Sequence, residues 1–112
     1  MKYEEMLEKY KGKLANYYDE EGKLVQYPSK RPLRILALLK VAEDFEKGRT
    51  YTEKEVNEVI RKNITFSDHE LIRREMYQYK IMNRLPNGSQ YWLEEEKIVI
   101  NSVKNFYNKS KI

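Results

Sequence analysis

Ser67-Asp68-His69-Glu70-Leu71-Ile72-Arg73-Arg74-Glu75-Met76-Tyr77-Gln78-Tyr79 runs without a break into Lys80-Ile81-Met82-Asn83-Arg84-Leu85-Pro86-Asn87-Gly88-Ser89-Gln90-Tyr91-Trp92-Leu93. The first part has the form of a capping box, Ser67 with Glu70 three residues on, which satisfies backbone donors at a helix start. Leu71, Ile72, Met76 and Tyr79 then fall at helical spacing and predict a helix over 68–79 with those four side chains turned inward. The second part holds two short extended runs, Ile81 to Leu85 and Gln90 to Leu93, around Pro86-Asn87-Gly88-Ser89. Asn-Gly between such runs is a strong hairpin signal, because both residues tolerate positive φ. A helix followed at once by a β-hairpin is therefore the feature on which the fold turns.

Upstream lie two more helices. Thr52-Glu53-Lys54-Glu55 is a second capping box, and Val56, Val59 and Ile60 carry its helix to about Asn63. Pro32 suits the first turn of an earlier helix, where its missing N–H costs nothing. That helix holds Leu33, Ile35, Leu36, Leu38, Leu39, Val41, Ala42 and Phe45, is apolar on more than one face, and should be the most buried before Lys47-Gly48 ends it. Lys23 to Tyr27 reads as a short strand stopped by Pro28. Tyr3, Met6, Leu7, Tyr10, Leu14 and Tyr17 make a single helical stripe over 1–18, and Val99, Val103, Phe106 and Tyr107 make another over 94–112. The expectation is a mainly α chain with one small β-hairpin (α+β), forming a single domain over 1–112. Its core at 19–93 has a winged helix-turn-helix-like layout, and an extra helix flanks it on each side. A generic α+β domain with another packing uses the same elements.

Composition sets the bounds. A chain of 112 residues can close one modest core. Although 36% of it is charged, 40% is apolar and ten tyrosines are present, so it should fold rather than stay disordered. There is no cysteine, which removes disulfides, thiolate metal sites and thiol nucleophiles. No run approaches the ~18 apolar residues of a membrane span, and the first residues do not form a signal peptide, so no membrane partner and a cytoplasmic location are expected.

Net charge is +4, too small to point to nucleic acid unaided, but its distribution is uneven. Residues 23–40 carry five basic and no acidic groups, and residues 59–93 are also net basic, while residues 41–58 between them are net acidic. Ser29, Lys30, Arg31 and Arg34 surround the start of the first core helix, the chemistry of a phosphate clamp. On the helix at 68–79, the outward positions are His69, Arg73 and Tyr77 along one edge and Glu70, Arg74 and Gln78 along the other. Arginine can pair with guanine and glutamine with adenine, so this helix fits the recognition position. The same residues also fit a solvated face, with Glu70 and Arg74 as an i,i+4 pair and Arg73 held internally by Glu55 or Asp68. Arg84 is the charged residue of the hairpin tip.

Nothing in the chain assembles a catalytic site. His69 is the single histidine and has no nucleophile partner, and a metal would find only carboxylates beside it. Glu53, Glu55 and Glu58 suit an exposed helix face, and Glu94-Glu95-Glu96 suits the positive end of a final helix. No Gly-rich phosphate loop and no Gly-x-Ser-x-Gly elbow is present. No enzyme, metal or cofactor is expected.

Several stretches match a known pattern: Gly22-Lys23-Leu24, Tyr27-Pro28-Ser29-Lys30-Arg31, Tyr51-Thr52-Glu53-Lys54-Glu55-Val56-Asn57-Glu58, Leu71-Ile72-Arg73-Arg74-Glu75-Met76, Arg84, and Gly88 with Tyr91-Trp92. Over about 18–93 the chain resembles the bacterial domain of unknown function 2087. That resemblance implies an association with transcriptional regulators, some of which carry this domain beside a helix-turn-helix. The expected function is accordingly that of a DNA-binding transcriptional regulator, with a recognition helix at 68–79 and a basic segment at 30–40. A protein-interaction module on the same scaffold, or RNA or ribosome binding, stays open. The two terminal stripes would suit a homodimer.

Overall fold

The protein is described by a computed structural model in which residues 3–96 are placed. Helix α1 spans Tyr3–Leu14 and passes into a 3₁₀ turn at Ala15–Tyr17; α2 is Arg31–Ala42, α3 Glu53–Asn63 and α4 His69–Gln78. Strands β1 (Met82–Arg84) and β2 (Tyr91–Leu93) then pair antiparallel, with Asn83 opposite Trp92. The order is that expected, mainly helical with one hairpin. The side chains of Tyr3, Met6 and Leu7, and the expected C-terminal helix from residue 97 on with its Val99, Val103, Phe106 and Tyr107 stripe, lie outside the described residues, as does any dimer contact built on them.

Helix α2 is the centre of the core. Leu33, Ile35, Ala37, Leu38 and Val41 are all buried, and Leu39 and Ala42 pack at the cluster's edge, as do Leu14 and Tyr17. The helix is shorter than its apolar run. It ends at Ala42, and the amides of Asp44 and Phe45 bond to the carbonyls three residues back, so Phe45 enters the core from a turn. The strand expected at Lys23 to Tyr27 shrinks to one bridging residue. Leu24 pairs with Tyr18 on one side and with Ile64 on the other, tying the chain before α2 to the end of α3. Asp19 shapes that approach, its Oδ1 accepting from the amides of Glu21 and Lys23.

The two capping boxes fare differently. Thr52 accepts from the Glu55 amide and the Glu55 carboxylate accepts from the Thr52 amide, the reciprocal pair that the sequence predicts. These bonds hold the Glu55 carboxyl below its ordinary value, with Arg49 at 3.2 Å adding to the effect. Ser67 does not cap α4. Asp68 takes the N-cap position, with no side-chain bond to the helix. Thr52→Ala should therefore cost about 1 kcal/mol in denaturant unfolding, whereas Ser67→Ala should stay within about 0.5 kcal/mol.

Helix α4 ends without a glycine. The Ile81 amide reaches the Met76 carbonyl and the Lys80 amide the Tyr77 carbonyl, a Schellman closure with Lys80 at φ 59° in the left-handed region. The buried Ile81 returns the chain to the core, where β1 begins. The hairpin turn also differs from the expected Asn-Gly pair. Pro86 and Asn87 are the central residues of a turn closed by the Gly88 amide on the Leu85 carbonyl, and only Gly88 takes positive φ there. Proline presets the φ of the first central position, which moves the turn back by one residue. Beyond the hairpin, Tyr51 and Tyr91 exchange both backbone hydrogen bonds at 2.8 Å. The segment between α2 and α3 thus forms a one-residue third strand alongside β2.

Candidate nucleic-acid interface

At about 100° per residue, α4 turns Ile72, Glu75, Met76 and Tyr79 to the core and Glu70, Arg74, Tyr77 and Gln78 to solvent. Arg74 and Gln78 make no side-chain hydrogen bond among the described residues, and Glu70 and Arg74 do not pair. Tyr77 is 41% exposed, and the Arg84 guanidinium lies over its ring at 4.7 Å, so the hairpin meets the helix there. His69 is half-buried. With its proton on Nδ1 it donates to the Ser67 carbonyl at 3.2 Å, and Nε2 then accepts from Arg61 at 3.2 Å.

Arg73 stands at the edge of this face and is held from inside, its side chain only 15% exposed. One guanidinium nitrogen donates to Asn57 Oδ1 and another lies 3.7 Å from Glu53 Oε1. The acid beside it is Glu53, the first residue of α3, and not Glu55 or Asp68 as expected. Glu53 also accepts from the Tyr91 hydroxyl at 3.4 Å, so the start of α3, the middle of α4 and β2 meet at one carboxylate.

The basic segment before α2 does not assemble as a clamp. Ser29 and Lys30 are exposed, with Lys30 turned to a surface pocket beside Asn16, Tyr17 and Gln26. Arg31 bonds toward Tyr79 at the end of α4. Arg34, expected at phosphate, faces inward. Its Nε donates to the Pro28 carbonyl at 2.6 Å, a terminal nitrogen donates to Glu75 at 3.2 Å, and its guanidinium stacks on Tyr27 at 4.6 Å. The Tyr27 hydroxyl donates to the other Glu75 oxygen at 2.6 Å. Glu75 is the acid at the centre of this cluster and is 9% exposed. Sequence reasoning passed it over because it is charged. Its position, three after Ile72 and four before Tyr79, is nevertheless on the inward stripe.

Three tyrosines resist ionisation in consequence. Burial, the bond to Glu75 and its charge push the Tyr27 hydroxyl well above its ordinary value, against an opposing pull from Arg34. Burial does the same to Tyr79, with Glu75 adding to it. Burial pushes Tyr18 up to about 12, with Glu43 adding, and the Tyr18 hydroxyl has no hydrogen-bond partner among the described residues. Because the folded values lie above the unfolded value of about 10, the neutral hydroxyls contribute their stability fully below pH ~10, and it is lost as pH rises through the folded values. Tyrosinate absorbance should accordingly show a late-titrating fraction that merges with alkaline unfolding, and Tyr27→Phe should diminish it.

The model of a family of uncharacterized proteins conserved in bacteria, DUF2087, matches residues 23–93. The chain belongs to this family. No curated protein and no solved structure matches it. The DUF2087 region opens one residue before the bridging Leu24 and closes at the last residue of β2, so it includes α2, α3, α4 and the hairpin and leaves α1 outside. Within it, stretches far apart in the chain are joined side by side, Tyr27 and Arg34 to Glu75, Asn57 and Glu53 to Arg73, and Tyr51 to Tyr91. No helix among the described residues is long and apolar enough to cross a membrane, and none of their acidic or histidine side chains cluster in threes to hold a metal.

Proposed function

We propose that this DUF2087 protein is a non-catalytic DNA-binding domain of winged-helix type that serves in transcriptional regulation. The observation that carries the reading is the seam between α4 and the hairpin, where Arg84 lies on Tyr77 beside the exposed, unpartnered Arg74 and Gln78. A helix of ten residues with arginine and glutamine on its outer face has the size and chemistry to enter a major groove. On this reading the hairpin next to it serves as the wing, following the backbone. The fold part of the reading is supported by the Tyr51 bridge, which gives the hairpin a third strand and roots it at the start of the helix-turn-helix pair α3–α4.

The contact set narrows accordingly. Gln78 and Tyr77 are the base-facing residues, Arg74 and Arg84 lie beside them where the helix meets the hairpin, and Arg34 supports the helix from behind through Glu75. Fluorescence-anisotropy titration of the whole protein with random duplex DNA at two salt concentrations tests this, with an RNA hairpin as comparison. Micromolar DNA binding that weakens steeply with salt is expected. Absence of binding at low salt overturns the reading, and preference for the RNA hairpin replaces it with recognition of A-form backbone.

A further inference from the structure

A pocket of about 210 Å³ opens between the first turn of α3, the outer side of α4 and the hairpin, walled by Glu53, Arg73, Arg74, Tyr77, Arg84 and Tyr91. We propose that this pocket seats one phosphate group and, resting on the DNA-binding reading above, that the phosphate belongs to the backbone of duplex DNA.

Charge is the first argument. Three guanidinium groups meet one carboxylate at the pocket, and that carboxylate, Glu53, is already engaged by the Tyr91 hydroxyl and faced by Arg73. Donor capacity is the second. Each guanidinium carries five N–H donors. Arg73 commits one nitrogen to Asn57 and turns another to Glu53, Arg84 makes one long bond of 3.4 Å to the Pro86 carbonyl, and Arg74 makes none among the described residues. Several N–H groups are therefore left for the two non-bridging oxygens of a phosphodiester, the geometry that arginine matches better than lysine.

Size is the third. Pockets that bury a drug-sized ligand begin at about 300 Å³, so this one is small for a whole nucleotide or cofactor and large enough for a phosphate group. That fits a diester in a polymer better than a free nucleotide or cofactor. Its place in the fold gives the bound phosphate a use. Fixed at the seam of α4 and the hairpin, it sets the register of the helix on the duplex without reading sequence. Arg73, expected to read a base, becomes a positioning cation, held ready by Asn57 and Glu53.

The test uses the whole protein and two probes. Inorganic phosphate is titrated while the arginine side-chain N–H signals are followed by NMR, and two duplexes of unrelated sequence are titrated by anisotropy against the parent, Arg84→Ala and Arg84→Lys, each first checked by thermal melting. Phosphate should shift the signals of Arg73, Arg74 and Arg84 and leave Arg34 in place. Arg84→Ala should weaken both duplexes by the same factor, about tenfold, and lower the slope of log affinity against log salt by about one. Arg84→Lys should restore the slope but not the full affinity. Phosphate shifts spread evenly over all arginines, or duplex affinity unchanged in Arg84→Ala, overturn the pocket and leave the reading of α4 standing. Shifts confined to the three pocket arginines with no duplex bound uphold a phosphate pocket for a free anion and overturn the DNA assignment.

Discussion

Glu75→Ala should lower the stability of the protein by about 3 kcal/mol, the low end of the range for breaking a buried ion pair, with a fall in Tm of roughly 10 °C. The loss has two sources. Arg34 keeps its charge in a site where its side chain is only 30% exposed, and the Tyr27 hydroxyl loses the carboxylate it donates to. Water can reach Arg34 in part, which is why the low end applies. Removing all three polar partners together is a different perturbation. Tyr27→Phe with Arg34→Met and Glu75→Leu replaces the cluster by apolar side chains of similar size and should be near neutral, because no buried charge is left uncompensated. A Glu75→Ala variant within 1 kcal/mol of the parent would mean that the cluster is solvated and does not join α2 to α4. Chemical denaturation read by tyrosine and tryptophan fluorescence measures the whole series.

Tyr51→Ala is the second large effect, about 3–5 kcal/mol. The ring is 4% exposed and packs edge-on against Phe45 at 5.0 Å, with the Arg49 guanidinium over its face at 4.5 Å. Tyr51→Phe should cost about 1 kcal/mol or less. Its hydroxyl accepts from the Glu46 amide at 2.8 Å, and Glu46 is exposed, so water can replace that bond. The two variants also differ in their effect on the hairpin. Tyr51 is one of the residues through which β2 is fixed to the helical core, so in Tyr51→Ala the Tyr91 amide should lose hydrogen-exchange protection beyond what the global loss explains. Arg84 would then drift from Tyr77, and duplex binding should weaken in step. Protection at Tyr91 that follows only global stability would show that other contacts fix the hairpin.

Most of the element order was legible because it is encoded by neighbours in the chain. The stripe Val56, Val59, Ile60 and the Thr52–Glu55 box are interactions over three or four residues, and α3 begins and ends where they place it. The end of α4 was harder to read. Its left-handed position is held by Lys80, so no glycine marked the stop, and the closure depends on Ile81 being drawn into the core beside Met76. At the hairpin, proline chemistry outweighed the Asn-Gly signal and moved the turn from Asn87-Gly88 to Pro86-Asn87.

The candidate site was legible in its residues but not in their roles. Lys30, Arg31, Arg34, Arg73 and Arg74 are alike as letters, and a count of charge treats them as one basic footprint. Packing divides them. Arg34 meets an acid 41 positions away, Arg73 meets an amide 16 positions away, and Arg74, the next residue along, meets solvent. A step of one residue on a helix is about 100° of rotation, enough to separate an internal strut from an outward contact. The sequence by itself determined helices α1 to α4, the hairpin, the absence of thiol chemistry and the supply of cations. Only the tertiary structure decided which cations were spent inside, because burial and pairing depend on which helices come together, and that is a property of the packed chain rather than of any short stretch of it.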